Sequence, residues 1–387
     1  MQIAVVGGKL QGVEACYLAR KAGWQVRLVD RCPDVLARGM CDEFIGVDLC
    51  REDDLDRVFG GVDLVLPALE DKEALDALLS FCTASGLPCA FDFIAYEISS
   101  SKIASDRLFS ELGLPIPRPW PEAAFPLIAK PSGSSGSKGI RILRNRNDLI
   151  AAFPDAEALK GWVIQEYLEG PSYSIEVIGF DGCTVPFQIT DLYMDADHDC
   201  KRVTAPTELP MALSSQFMSL SLTIAEAVKL KGIMDVEVIL NNGQLKVLEI
   251  DARIPSQTPT VVFWSSGLNL VEILGKTFLG VELPSRSAQT VERAVIYEHI
   301  RVSHGILEVG GEHLMTQLSG LHVLPDFFGA DEALTDFEPG RTNWAATLIV
   351  CDNDRNAVWQ KRCEVLIGIC HRFGIERFLD LGPSLPM

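Results

Sequence analysis

"MDVEVILNNGQLKVLEIDARIPSQTPT", residues 234–260, reads as two β-strands around an Asn-Asn-Gly turn. Successive side chains of a strand face opposite sides of its sheet. Val236, Val238 and Ile250 therefore point into a core, while Asp235, Glu237, Glu249 and Asp251 share the alternate faces of two neighbouring strands. Ionised neighbours in that space would cost several kcal/mol unless cations lay between them. Mg2+ suits a site made only of oxygen donors, with nucleotide phosphates completing its shell, so Glu237, Glu249 and Asp251 are candidate metal ligands. Arg253, two residues beyond Asp251, is placed to steady a transferring phosphoryl group.

Upstream, "FPLIAKPSGSSGSKGIRIL" gives an apolar strand ending in Lys130, a loop from Ser132 to Gly139, and a second strand. Glycines 133, 136 and 139 let backbone N–H groups approach phosphate oxygens, Ser134, Ser135 and Ser137 add hydroxyl donors, and Lys130 supplies an ammonium. No helix start follows, so this is not the GxxxxGK[ST] loop. "WVIQEYLEGPSYSIEVIG" then reads as strand, acidic linker, strand, within an antiparallel region flanked by helices.

The chain opens with "MQIAVVGGKLQGVEACYLARKAGWQVRLVD", a strand, glycine turn, helix and second strand ending at Asp30. Further strand signals at 62–67 and 89–93 extend a Rossmann-like parallel sheet to about residue 95. Lys9 stands where a GxGxxG fingerprint needs its middle glycine, which weakens a nicotinamide-dependent oxidoreductase as the alternative reading. Lys9, Asp30 and Asp48 remain candidates for holding a nucleotide in this unit. A Ser-rich helix start after Ser99 and prolines at 115, 117, 119 and 121 mark entry into a new unit. Strand signals at 294–300 and 344–350 and a helical pattern over 358–372 suggest a small closing unit, with a frayed "LGPSLPM" end. The expected organisation is thus α/β, with α+β character at the centre, divided as 1–95, 96–285 and 286–387.

Composition narrows the partners. With 34 Lys plus Arg against 53 Asp plus Glu, a net charge of -19 repels nucleic acid and anionic membranes, though one basic pocket can still bind a small anion. The eleven cysteines show neither CxxC pairs nor zinc spacing and fit a reducing, cytoplasmic compartment. No signal peptide or span of about 20 apolar residues is expected.

The strand lysine and Gly/Ser loop, the hinge "VIQEYLEG", and Glu237 with the Glu249-Ile250-Asp251-Ala252-Arg253 run, in that order, resemble the ATP-grasp ligases over residues 1 to about 280. The resemblance implies an ATP-grasp fold, ATP and Mg2+, and an acyl phosphate that an amine attacks. It implies phosphate contacts from Lys102 and Lys130 under the serine loop, adenine contacts from Gln165, Glu166, Tyr167 and Leu168, and a ribose contact from Glu169 in place of Ser172. Asp251 stands where many members carry Asn.

Within the family, "VGGKLQG", "KGIMDVE" and "EIDARIPSQTPTVV" are similar to the branch joining (3R)-3-methyl-D-ornithine to the ε-amine of L-lysine; another amino-acid pair is the alternative. Diamine substrates call for acids, offered by Glu176, Asp195, Asp197, Asp199 and Asp235. Ser256, Gln257 and Thr258 are candidates for a substrate carboxylate, and Leu10, Gln11 and Glu70 for L-lysine.

Overall fold

The computed structural model describes residues 1–52, 54–284 and 293–383. The N-terminal unit comprises β1 (Gln2–Val6), α1 (Leu10–Lys21), β2 (Gln25–Asp30), β3 (Glu43–Gly46), α2 (Leu55–Phe59), β4 (Leu64–Pro67) and α3 (Lys72–Ser85). Its strands are parallel in the order β3-β2-β1-β4. Buried apolar runs such as Ile3–Val6 and Leu64–Leu66 suit a sheet covered on both faces. Gly12 lets α1 start hard against the turn after β1: a Cβ there would lie 2.1 Å from the Gly7 carbonyl oxygen. The strand expected at 89–93 is reduced to a single parallel bridge between Val65 and Cys89. Asp92 caps the next helix instead, accepting from the Ile94 and Ala95 N–H groups.

That helix, α4 (Phe93–Ser99), leads to α5 (Lys102–Glu111), capped by Ser101, and then to a small antiparallel sheet in the order β6-β5-β7. Its strands are β5 (Leu127–Pro131), β6 (Arg141–Leu143) and, after α6 (Arg146–Ala152), β7 (Trp162–Glu166). The central strands follow: β8 (Ser172–Phe180), β9 (Cys183–Met194), β10 (Cys200–Ala205), then α7 (Met211–Ala227), β11 (Gly232–Asn241) and β12 (Gln244–Asp251). Helices α8 (Thr258–Ser266) and α9 (Leu270–Phe278) come next. The last part holds β13 (Ala294–Ser303), β14 (Ile306–Val309), β15 (His322–Phe327), β16 (Ala330–Thr335), β17 (Trp344–Asp352), α10 (Arg355–Phe373) and β18 (Arg377–Asp380).

The boundary expected at 286 lies outside the described residues, yet the sheet crosses it. β13 pairs with β10, Val203 opposite Tyr297, so the central and C-terminal strands form one sheet, eleven strands among the described residues. A small self-contained sheet after 286 is therefore not what forms. The N-terminal unit docks on this body through α1, α8 and α9, which bury Leu18, Val262, Leu270 and Leu274 in one apolar cluster. Asn269 Nδ2 donates to the Leu18 carbonyl at 2.7 Å across the seam.

Candidate active site

Register decides the site. Asn242 and Gly243 take positive φ, 50° and 77°, at the hairpin tip, as a two-residue turn requires. Asp235 then falls opposite Asp251 and Glu237 opposite Glu249. On the other side of β11, β8 sets Glu176 opposite Asp235 and Ser174 opposite Glu237. One face of three strands thus carries two rows, Glu176-Asp235-Asp251 and Ser174-Glu237-Glu249. Burial pushes Glu237 and Asp235 well above the usual carboxylate range, and neighbouring acids push the same way. Asp251 is raised to about 6 by burial, against the pull of Arg253.

Three cations ring this face. Lys102 at the start of α5 reaches Glu249 Oε1 at 2.6 Å and the Ser134 carbonyl at 2.8 Å. Lys130, buried on β5, is held below the ordinary lysine range by desolvation, with Glu249 opposing the shift. Arg253 Nη2 lies 3.0 Å from Asp251 Oδ2 and 2.9 Å from Glu70 Oε1, while its Nε has no partner. Glu237 and Glu249, paired across the hairpin, offer the hard oxygen donors that suit a divalent cation, with Asp251 on the next pair, while the described residues whose ligand atoms converge within 4.8 Å as a group of three are Asp195, Asp199 and His313.

The Gly/Ser loop closes over the acids. Ser135 Oγ donates to Glu70 Oε2 at 2.8 Å, and Ser137 Oγ to the His198 carbonyl at 2.6 Å. Beneath it lies a cleft of about 370 Å³, lined by Lys130, Glu237 and Glu249 at one end. Gln165 to Glu169, with Ile128, Ile239 and Leu248, line the same cleft, giving a polar linker edge and apolar surface of the kind a purine ring needs.

Several expected residues are engaged otherwise. Glu166 lines the cleft, but its carboxylate is committed to Arg118 and Lys246, which hold it below the usual range despite its burial. Asp30 accepts from the Cys32 N–H of its own turn at 2.8 Å and from the Gly8 N–H of the turn after β1 at 2.7 Å, and Asp48 accepts from the Cys50 N–H of its own turn. Lys9 is exposed just before α1. Asp195 accepts backbone N–H groups of Asp197, Asp199 and Gly311, and Asp199 accepts from His313, clamping the β9–β10 turn to the C-terminal segment. Of the residues expected to meet lysine, Gln11 Nε2 donates to Glu70 Oε1 at 2.9 Å, beside Arg253, and Leu10 begins the same helix. Ser256, Gln257 and Thr258 follow Arg253 directly; Gln257 is buried at φ 75° and donates to the Cys200 carbonyl.

Sequence reasoning missed three acids here. Asp106, raised to about 6 by burial, acts on Lys130 from α5. Glu14 from α1 accepts the Thr260 N–H at 2.5 Å. Glu312, raised by burial, belongs to the C-terminal segment expected as a small closing unit. Glu14 sits inside a helix of buried apolar residues, so only its being an acid there signalled a role.

Residues 99–257 match the model of the ATP-grasp domain family. The 3-methyl-D-ornithine–L-lysine ligase of Methanosarcina barkeri is 37% identical over 382 residues, 96% of this chain and 98% of the relative. That of Methanosarcina mazei is 39% identical over 316 residues, 81% of this chain and 82% of the relative. Among solved structures, the biotin carboxylase domain of Hydrogenobacter thermophilus 2-oxoglutarate carboxylase, in complex with MgADP, ADP and bicarbonate, superposes with a TM-score of 0.74 at 17% identity, covering 94% of this chain and 89% of that one. The fold is therefore ATP-grasp.

Proposed function

Since the chain belongs to the 3-methyl-D-ornithine–L-lysine ligases, a branch of the ATP-grasp enzymes, we propose that it joins the carboxylate of (3R)-3-methyl-D-ornithine to the ε-amine of L-lysine at the expense of ATP, in pyrrolysine biosynthesis. The observation that carries the reading is the register pairing of Glu237 with Glu249 beneath Lys102, Lys130 and the serine loop. Adenine would lie along Gln165–Leu168, and Lys102 and Lys130 would hold the phosphates, as their shared lining of one cleft supports. Glu237, Glu249 and Asp251 would hold Mg2+, which would supply neutralisation of phosphate charge.

The substrate carboxylate attacks the γ-phosphorus. A carboxyl O–P bond forms, the bond to ADP breaks, and Arg253 steadies the equatorial oxygens. The lysine ε-nitrogen then attacks the acyl carbon and inorganic phosphate leaves, giving the isopeptide. That amine, ordinarily near pKa 10.4, must shed a proton first; the water-poor site under the closed loop disfavours its charged form. Glu70 and Gln11 receive L-lysine. None of the helices among the described residues is long and apolar enough to cross a membrane, and all eleven cysteines are free thiols, which supports a cytoplasmic site of action.

Incubation with ATP, Mg2+, L-lysine and D-ornithine tests the reading by product mass and phosphate release together. The expected species has the summed amino-acid mass less one water and forms with ADP. ADP without adduct, repeated with authentic 3-methyl-D-ornithine, would refute the substrate pair.

A further inference from the structure

The end of a chain usually frays, yet β18, the last strand, is fastened through a buried ionic cluster. It pairs in parallel with β14, Asp380 falling opposite Val309. Asp380 Oδ1 accepts from Lys201 Nζ at 2.6 Å, and its Oδ2 accepts from Arg202 Nη2 and Arg362 Nη2 at 2.7 and 3.0 Å. Glu298, fully buried on β13, accepts from both arginines as well. Lys201 also donates to the Leu381 carbonyl at 2.6 Å, which carries the anchorage one residue past the strand. Burial pushes Asp380 upward, but Arg202 and Lys201 outweigh it and hold the carboxyl below its usual range.

Without β18, the three buried cations would share Glu298 alone. Such a cluster is a costly way to gain stability, since apolar side chains would pack there without losing hydration, but it holds the strand to one position. That position bears on the cleft. Pro383 lines it, whereas the other described lining residues fall between Lys102 and Glu249. Lys201 stands just after the β9–β10 turn, where Met194 and His198 line the same cleft. Pro383 is two residues beyond Leu381, a reach of about 7 Å at most. A proline ring is apolar and already rigid, so it loses little freedom on contact. It offers a phosphate nothing and suits the flat face of a base.

We propose that the segment after β18 is a wall of the nucleotide cleft, with Pro383 packed on the base and Asp380 as the positioning residue that holds it there. This role presupposes the nucleotide reading of the cleft and adds to it a contact from outside residues 99–257, the span of the matched domain.

Calorimetric titration of the full chain with MgADP, and with magnesium tripolyphosphate as a chain of phosphates without the base, tests it. Pro383→Gly should weaken MgADP by about 3-fold to 10-fold and leave tripolyphosphate within about twofold. Asp380→Asn keeps the proline and unties the strand; it should shift the two ligands in the same pattern and raise KM for ATP by a larger factor than it lowers kcat. Pro383→Gly that binds MgADP like the wild type, or weakens both ligands alike, would overturn the assignment. Asp380→Asn with wild-type binding would strip Asp380 of its role. Pro383 is exposed, so its substitution decides the question if Asp380→Asn fails to fold. A wild type that binds neither ligand would remove the nucleotide reading and this role with it, whereas tight MgADP binding unchanged in Pro383→Gly would remove this role alone.

Discussion

Glu237 faces Glu249 across the hairpin and shares its face with Asp235 and Asp251, so its charge is held at a cost the fold does not recover without a cation. Two such charges about 5 Å apart repel by roughly 3 kcal/mol at an effective dielectric of 20. Glu237→Gln relieves that repulsion while removing a proposed metal ligand. Turnover is expected to fall about a thousandfold or more, whereas the melting temperature in EDTA stays equal or rises. Mg2+ with ADP should raise the wild-type melting temperature more than the variant's. Phosphate release and scanning calorimetry check both, and a variant that keeps turnover would remove Glu237 from the metal site.

At the scale of elements, the Gly/Ser loop is fastened to the N-terminal unit by Ser135 on Glu70 and to the central sheet by Ser137 on His198. Loosening it should let water reach the acyl phosphate. Ser135→Ala is expected to release several-fold more phosphate per isopeptide formed, with little change in KM for ATP; an unchanged ratio of phosphate to product would show that this contact does not seal the site. Much of this element was legible from residues alone. Lys130 ends an apolar strand, glycines and serines follow, and a two-residue alternation put Glu237, Glu249 and Asp251 on shared faces. What local pattern cannot carry is partnership over distance. Glu14 and Thr260 are 246 residues apart, and nothing in the alternation of Ala294–Ile300 says that its neighbour is β10. Cys89–Phe93 failed for a local reason: Asp92 offers a helix cap, which outweighed the apolar run around it.

For the whole molecule, the long sheet buries a histidine in its middle. His299 of β13 is 1% exposed, shares a hydrogen bond of 2.7 Å with Thr347 Oγ1 through Nδ1, and leaves Nε2 unpartnered. Burial lowers its pKa to about 3, the nearby His313 adding to the shift. In the unfolded chain it titrates near 6.5, so between those values the unfolded state binds the extra proton. The stability contributed by neutral His299 is therefore complete above about pH 6.5 and drains at about 1.4 kcal/mol per pH unit as pH falls toward 3. His299→Gln should flatten the acid side of the stability profile by one proton, read as unfolding free energy against pH from 7 to 4. An unchanged slope would place the acid sensitivity elsewhere.

Glu70 has a consequence of another kind. Its carboxylate holds Ser135 of the loop, Gln11 of the N-terminal unit and Arg253 of the central sheet at once. A carboxylate has few places to give, and a positively charged newcomer competes for them with the guanidinium. An amine bound at Glu70, where the proposed function puts L-lysine, would share the carboxylate with Arg253, which keeps its contact to Asp251. Among the described residues, Glu70 is thus the one carboxylate that ties the loop, the N-terminal unit and the central sheet together at the site, so a change at Glu70 is felt in all three parts.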